Sequence, residues 1–168
     1  EKELGERIRV VWSGAEYRGR GRETNWSGQA RFEGASIRRM DKINAWNHER
    51  RLEQHGRDVV VFDAITTGNF GGFDVWLDDV AEAKFSVETN LGSLNGSLSE
   101  IGIEDTVMDA GGLERKIRVF RLPESNPHRA LSARVKIPLK PDTDNPLWVC
   151  VTTEDGFQAW SSPIYAFR

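Results

Sequence analysis

Histidine and cysteine, the residues that most often carry metal and nucleophile chemistry, are scarce in this 168-residue chain: three of the first and one of the second. The single cysteine, Cys150, excludes an internal disulfide and leans the compartment toward a reducing, cytoplasmic one. It lies in an apolar strand pattern and is expected to be a buried structural thiol, because reactive cysteines need an electropositive, accessible site. The histidines are His48, His55 and His128. His48-Glu49 opens like a zinc-protease helix motif, but the next histidine follows seven positions after the first instead of four, so a helix would not stack the pair for one tetrahedral ion as that motif does. Charge of one sign is also missing. With 23 Lys and Arg against 26 Asp and Glu, the net charge of −3 gives no reason to expect nucleic acid. No apolar run approaches the length that spans a bilayer as a helix, so no membrane partner is expected.

Catalytic patterns are equally thin. Ser13, Ser27 and Ser161 each follow a tryptophan, and none sits in a Gly-x-Ser-x-Gly elbow. No glycine-rich phosphate loop with a Lys-Ser/Thr end is present. Asp74, Asp78 and Asp79, and the pair Asp142 and Asp144, lack the twelve-residue calcium-loop spacing and read as solvated carboxylates. No catalytic residue, metal ligand or cofactor is therefore assigned to the chain.

What is present is a repeated period of two. Arg7 to Trp12, Asp58 to Thr67, Phe73 to Asp78, Ala83 to Glu88, Lys116 to Leu122 and Ala133 to Leu139 read as strands. Gln29 to Glu33 is another, entered through a turn at Asn25-Trp26-Ser27-Gly28. Asp41 to His55 reads as a short helix or an irregular crossing, and Asn90 to Ser99 and Ile101 to Gly112 as loops. Pro146 to Arg168 closes the chain as a hairpin, turning at Asp155-Gly156, with Pro163 at an edge or bulge because it has no N–H for a ladder. About nine or ten short strands with turns between them predict an all-β fold, an antiparallel β-sandwich of immunoglobulin-like or jelly-roll type with little helix, spanning 1–168 as one domain.

Two features point to recognition. Arg18, Arg20 and Arg22 alternate with small residues on an expected strand, and Arg31 extends the set; such a face grips carboxylates, phosphates or another domain's acidic surface. Six tryptophans exceed what a core of this size needs. Trp26 and Trp46, with polar neighbours, are the expected exceptions to burial and candidate platforms for a sugar ring or an interface.

Several phrases taken together resemble the C-terminal region of a bacterial PHP-like (polymerase and histidinol phosphatase superfamily) family of unknown function. They are Ile8-Arg9-Val10-Val11-Trp12-Ser13-Gly14 with the Arg-Gly-Arg run, Thr66-Thr67-Gly68-Asn69-Phe70-Gly71-Gly72-Phe73-Asp74, Asp109-Ala110-Gly111-Gly112-Leu113, and the ending from Glu154-Asp155-Gly156 through Ala159-Trp160-Ser161-Ser162-Pro163-Ile164-Tyr165. The resemblance implies metal-dependent, phosphoesterase-like chemistry in an upstream α/β barrel with His-x-His ligands, and no catalytic residue carries over to this chain. The expectation is then a non-catalytic accessory domain at the C-terminal end of a longer polypeptide, since the chain opens at Glu1 rather than Met. Its partner is the upstream catalytic domain of the same polypeptide. The alternative is a carbohydrate-binding module that uses exposed tryptophans.

Overall fold

The computed structural model describes residues 5–15, 22–43, 50–123, 130, 132–152 and 158–167. Ten strands, in chain order, build the larger part: β1 Glu6–Ser13, β2 Thr24–Glu33, β3 Ser36–Ile43, β4 Leu52–His55, β5 Val59–Thr66, β6 Phe70–Asp78, β7 Lys84–Thr89, β8 Gly92–Ser97, β9 Thr106–Asp109 and β10 Lys116–Leu122. They form two five-stranded antiparallel sheets, β3-β6-β1-β10-β9 and β4-β5-β2-β7-β8. The sheets pack face to face as a β-sandwich. Pairing nests outward from the β4–β5 hairpin, β3 with β6 and then β2 with β7, as in a long hairpin rolled up in the manner of a jelly roll.

The period of two explains the core. Ile8, Val10 and Trp12 of β1 and Phe73, Val75 and Leu77 of β6 point inward from the first sheet. Trp26, Ala30 and Phe32 of β2, Val60, Phe62 and Ala64 of β5, and Phe85 and Val87 of β7 meet them from the second. At the centre Trp12 stacks flat on Phe62, ring centroids 4.4 Å apart and planes 7° from parallel. Phe73 tilts against both rings at 6.1 and 6.2 Å, so one aromatic cluster bridges the two sheets.

Several expectations are corrected. Asn25 to Gly28 is no turn: β2 runs straight through it, and its inward face carries Trp26 at 1% exposure. Gly28 is there because β7 passes too close for a side chain. A Cβ at that position would lie 2.1 Å from the Glu88 carbonyl oxygen. Asp41 to His55 holds the end of β3 and all of β4, with 44–49 outside the described residues. The two expected loops contain β8 and β9: Gly, Ser and Asn conceal the alternation of β8, and β9 is only four residues long. Of the expected arginine strand over 15–22, residues 16–21 lie outside the described residues and Arg22 precedes β2.

The chain divides into two compact units, Glu1–Ser125 and Asn126–Arg168, and the sandwich sheets lie wholly in the first. In the second, β11 Asn145–Leu147 pairs with β14 Ile164–Ala166, and β12 Cys150–Thr152 with β13 Gln158–Trp160. The closing hairpin is thus present, its Asp155-Gly156 turn lying outside the described residues. Residues 133–139 join no ladder, against expectation; Pro138 has no N–H to offer one. Cys150, expected to be buried, is exposed, as are its apolar neighbours Val149 and Val151.

Replacing Gly28 by Ala should force β2 and β7 apart and cost about 1–3 kcal/mol, the usual penalty for overpacking. Urea unfolding followed by tryptophan fluorescence measures it, with Gly112→Ala, where nothing lies within 4 Å of the added carbon, as the near-neutral control.

Candidate functional site

Alternation on β1 has a second consequence. If Ile8, Val10 and Trp12 face the core, Arg7, Arg9 and Val11 must face the other side of the sheet. On β6 the same logic turns Asp74 and Trp76 outward beside them. The register sets Arg9 opposite Asp74 and Arg7 opposite Trp76. From the other flank, β3 brings Arg39 opposite Trp76 and Asp41 opposite Asp74.

The result is a tight ionic and aromatic constellation. Arg9 donates from Nε to Asp74 Oδ1 at 2.7 Å and from Nη2 to Oδ2 at 2.9 Å, a two-pronged contact. Arg7 adds bonds from Nε at 3.1 Å and Nη2 at 2.5 Å, both to Oδ2. The side chains of Arg9 and Asp74 are only 4% and 5% exposed, although they lie on the side of the sheet away from the core. The Trp76 ring takes two guanidinium groups, Arg7 at 5.1 Å and Arg39 at 4.5 Å from its centroid. Arg39 also donates to Asp41, and that bond raises the guanidinium above its ordinary pKa. Ile8 to Trp12 and Gly71 to Val75 are buried without a break, so the central strands of this sheet are covered on both faces.

This arrangement is suited to holding structure rather than to turning over a substrate. Asp74 receives four N–H bonds from two guanidinium groups, three at Oδ2 and one at Oδ1. A general base needs a free position within reach of the proton it takes. Asp74, 5% exposed and held by two guanidinium groups, is screened from such a proton.

The second sheet is plainer. Its outward side carries cross-strand rows, Arg31 with Ser86 and Asn95, and Glu33 with Lys84 and Ser97. Together these line an open groove. Arg31 is exposed and 3.5 Å from Asp58, an ion pair of little energetic worth in water.

Of the residues singled out from sequence, Arg31 is thus placed on an accessible groove and Arg22 is exposed. Arg18, Arg20 and Trp46 lie outside the described residues. Trp26, expected to be accessible, is buried and donates its indole N–H to Thr66 Oγ1 at 2.9 Å. Its polar neighbours Asn25 and Ser27 misled because they face the opposite side of the strand. Trp26 and Arg31, on opposite faces of β2, are not brought together. The Arg7, Arg9, Asp74, Trp76 and Arg39 constellation was missed. Arg7 and Arg9 flanking Ile8 were visible as one face, but their partners required the β1–β6 register. Among the described residues no group of three or more His, Cys, Asp or Glu is placed to hold a metal ion.

Compared with protein-family models, with curated proteins and with solved structures, the chain matches none of them.

Asp74→Ala should leave a buried guanidinium without its counter-charge. A loss of about 3–5 kcal/mol is expected, measured by chemical denaturation. The double variant Arg9→Met with Asp74→Leu should recover part of it, because the most deeply buried charge is then gone while Arg7, 23% exposed, still reaches water.

Proposed function

We propose that the chain is a non-catalytic accessory β-sandwich of a larger bacterial metal-dependent hydrolase-like protein, and that it serves interaction rather than reaction. The observation that carries this reading is the burial of Asp74 between two guanidinium groups. The strongest polar constellation among the described residues is closed on itself by four charge-assisted hydrogen bonds and stabilises a sheet. The sequence phrases that resemble the C-terminal region of the PHP-like family point the same way. The partner is the upstream catalytic domain of the same polypeptide, gripped through the arginines Arg18, Arg20, Arg22 and Arg31.

A second reading, carbohydrate binding through exposed tryptophans, draws on one observation. Trp148 and Trp160, in the unit Asn126–Arg168, are 58% and 61% exposed. Exposed indoles stack on sugar rings, and two on one hairpin can form a platform.

The mass of the native polypeptide, read with an antibody raised against this domain, tests the first reading. A band far above 19.0 kDa is expected, and a band at that mass overturns it. For the second reading, tryptophan emission is titrated with a panel of glycans. Saturable change that is lost in Trp148→Ala and Trp160→Ala supports it, and a flat response to every glycan overturns it.

A further inference from the structure

The chain has two methionines, Met40 and Met108, and the fold places them at opposite ends of one sheet. The first sheet runs β3-β6-β1-β10-β9, so Met40 on β3 and Met108 on β9 stand on its two edge strands. Both side chains face the interior. Met40 pairs with Val75 and Met108 with Ile117, each fully buried in the core, and the two methionines pack against that core partly buried. All of these residues belong to the unit Glu1–Ser125.

The two edges are anchored differently. β3 is held to β6 by seven register pairs, and Arg39 beside Met40 stacks on Trp76. β9 is four residues long and has four pairs, all with β10. Its other flank is a seam, because β8 is the edge of the second sheet and the two strands belong to different ladders. At this seam Met108 lies against Gly92, where a Cβ would sit 2.9 Å from Sδ and 3.4 Å from Cε. The thioether fills the notch that a residue without a side chain leaves. Leu91 and Leu94, on either side of Gly92 in the chain, pack against the core as well. Met108 is also linked to the centre. Ile117 stands between it and Trp12 in one cross-strand row, and Trp12 stacks on Phe62 of the second sheet.

We infer that Met108 is an oxidation-sensitive latch between the two sheets, closed as the thioether and opened when hydrogen peroxide converts it to the sulfoxide. The sulfur lone pair takes one oxygen atom, the O–O bond breaks, the sulfur is oxidised by two electrons and the peroxide leaves as water. The product carries a polar oxygen on an atom that already sits too close to Gly92 to admit a carbon there. That oxygen has two places to go. Toward Ile117 it enters an apolar interior, where a polar atom without a donor is costly. Toward water it draws the side chain out of the seam. The contact with Gly92 is lost in both cases, and β9, laddered on one flank alone, is the segment released. Sulfoxide reductases reverse the step, so the latch can be reset.

Peptide mapping and hydrogen–deuterium exchange of the 168-residue chain, before and after graded hydrogen peroxide, test it. Met108 should convert to the sulfoxide. Amides of β8 and β9 should then exchange at least about 10-fold faster, while those of β1, β2 and β5 keep their protection. Treatment with methionine sulfoxide reductases should restore the slow rates. Met108→Leu keeps the volume and cannot take the oxygen, so it should abolish the response, and Met40→Leu should leave it intact. Cys150 is present in both variants, so acceleration that persists in Met108→Leu comes from another residue and overturns the inference. Met108 that stays reduced while free methionine in the same solution is consumed also overturns it. Full conversion of Met108 with unchanged exchange does the same, and so does a response lost in Met40→Leu but kept in Met108→Leu.

Discussion

A carboxylate that is almost wholly removed from water must be neutralised where it stands, and that requirement organises the first sheet. Asp74 sits at the middle of β6 and meets Arg9 and Arg7 from β1. Removing two charges from water costs several kcal/mol each before any attraction is counted. The geometry must therefore be met closely, and it can be met in only one register. A slip of one residue would turn Arg9 into the core and Val10 outward. The ion pair thus fixes which face of β1 is inside, and the Trp12, Phe62 and Phe73 cluster depends on that choice.

Stacking on Trp76 extends the constraint sideways. Its ring lies within cation–π distance of a guanidinium from β1 and another from β3, which ties three adjacent strands through one side chain. Among the described residues the opposite sheet has no such device. Its outward face carries exposed ion pairs such as Arg31 with Asp58, and β2 alternates cleanly between buried and exposed positions. One sheet is therefore specified from both sides and the other from its core side alone.

The sandwich class was legible because period two is local: β1, β5, β6, β7 and β10 could be read from neighbouring residues. What failed was whatever depended on a residue far away in the chain. Gly28 looks like a turn until Glu88 is brought beside it. Trp26 looks accessible until strand direction assigns Asn25 and Ser27 to the other face. β8 was hidden by its Gly, Ser and Asn residues, and β9 by its length of four residues. The Asp74 constellation was illegible for the same reason, since Arg7 and Arg9 lie more than sixty residues from Asp74. Residues 133–139 erred in the other direction: their alternation is genuine, but a strand also needs a neighbour.

The nested pairing also sets the order in which the molecule can be made. β1 is synthesised before the rest of the sandwich, yet it lies between β6 and β10, with Val10 beside Phe73 on one flank and Val119 on the other. Its second neighbour does not exist until more than a hundred further residues have been synthesised. Contacts of such long sequence separation slow folding. At about 5–20 residues per second, translation alone leaves β1 half paired for several seconds or more. During that interval its unpaired edge and the apolar row Ile8, Val10 and Trp12 stand open, and that is the window in which the nascent chain is most prone to aggregate.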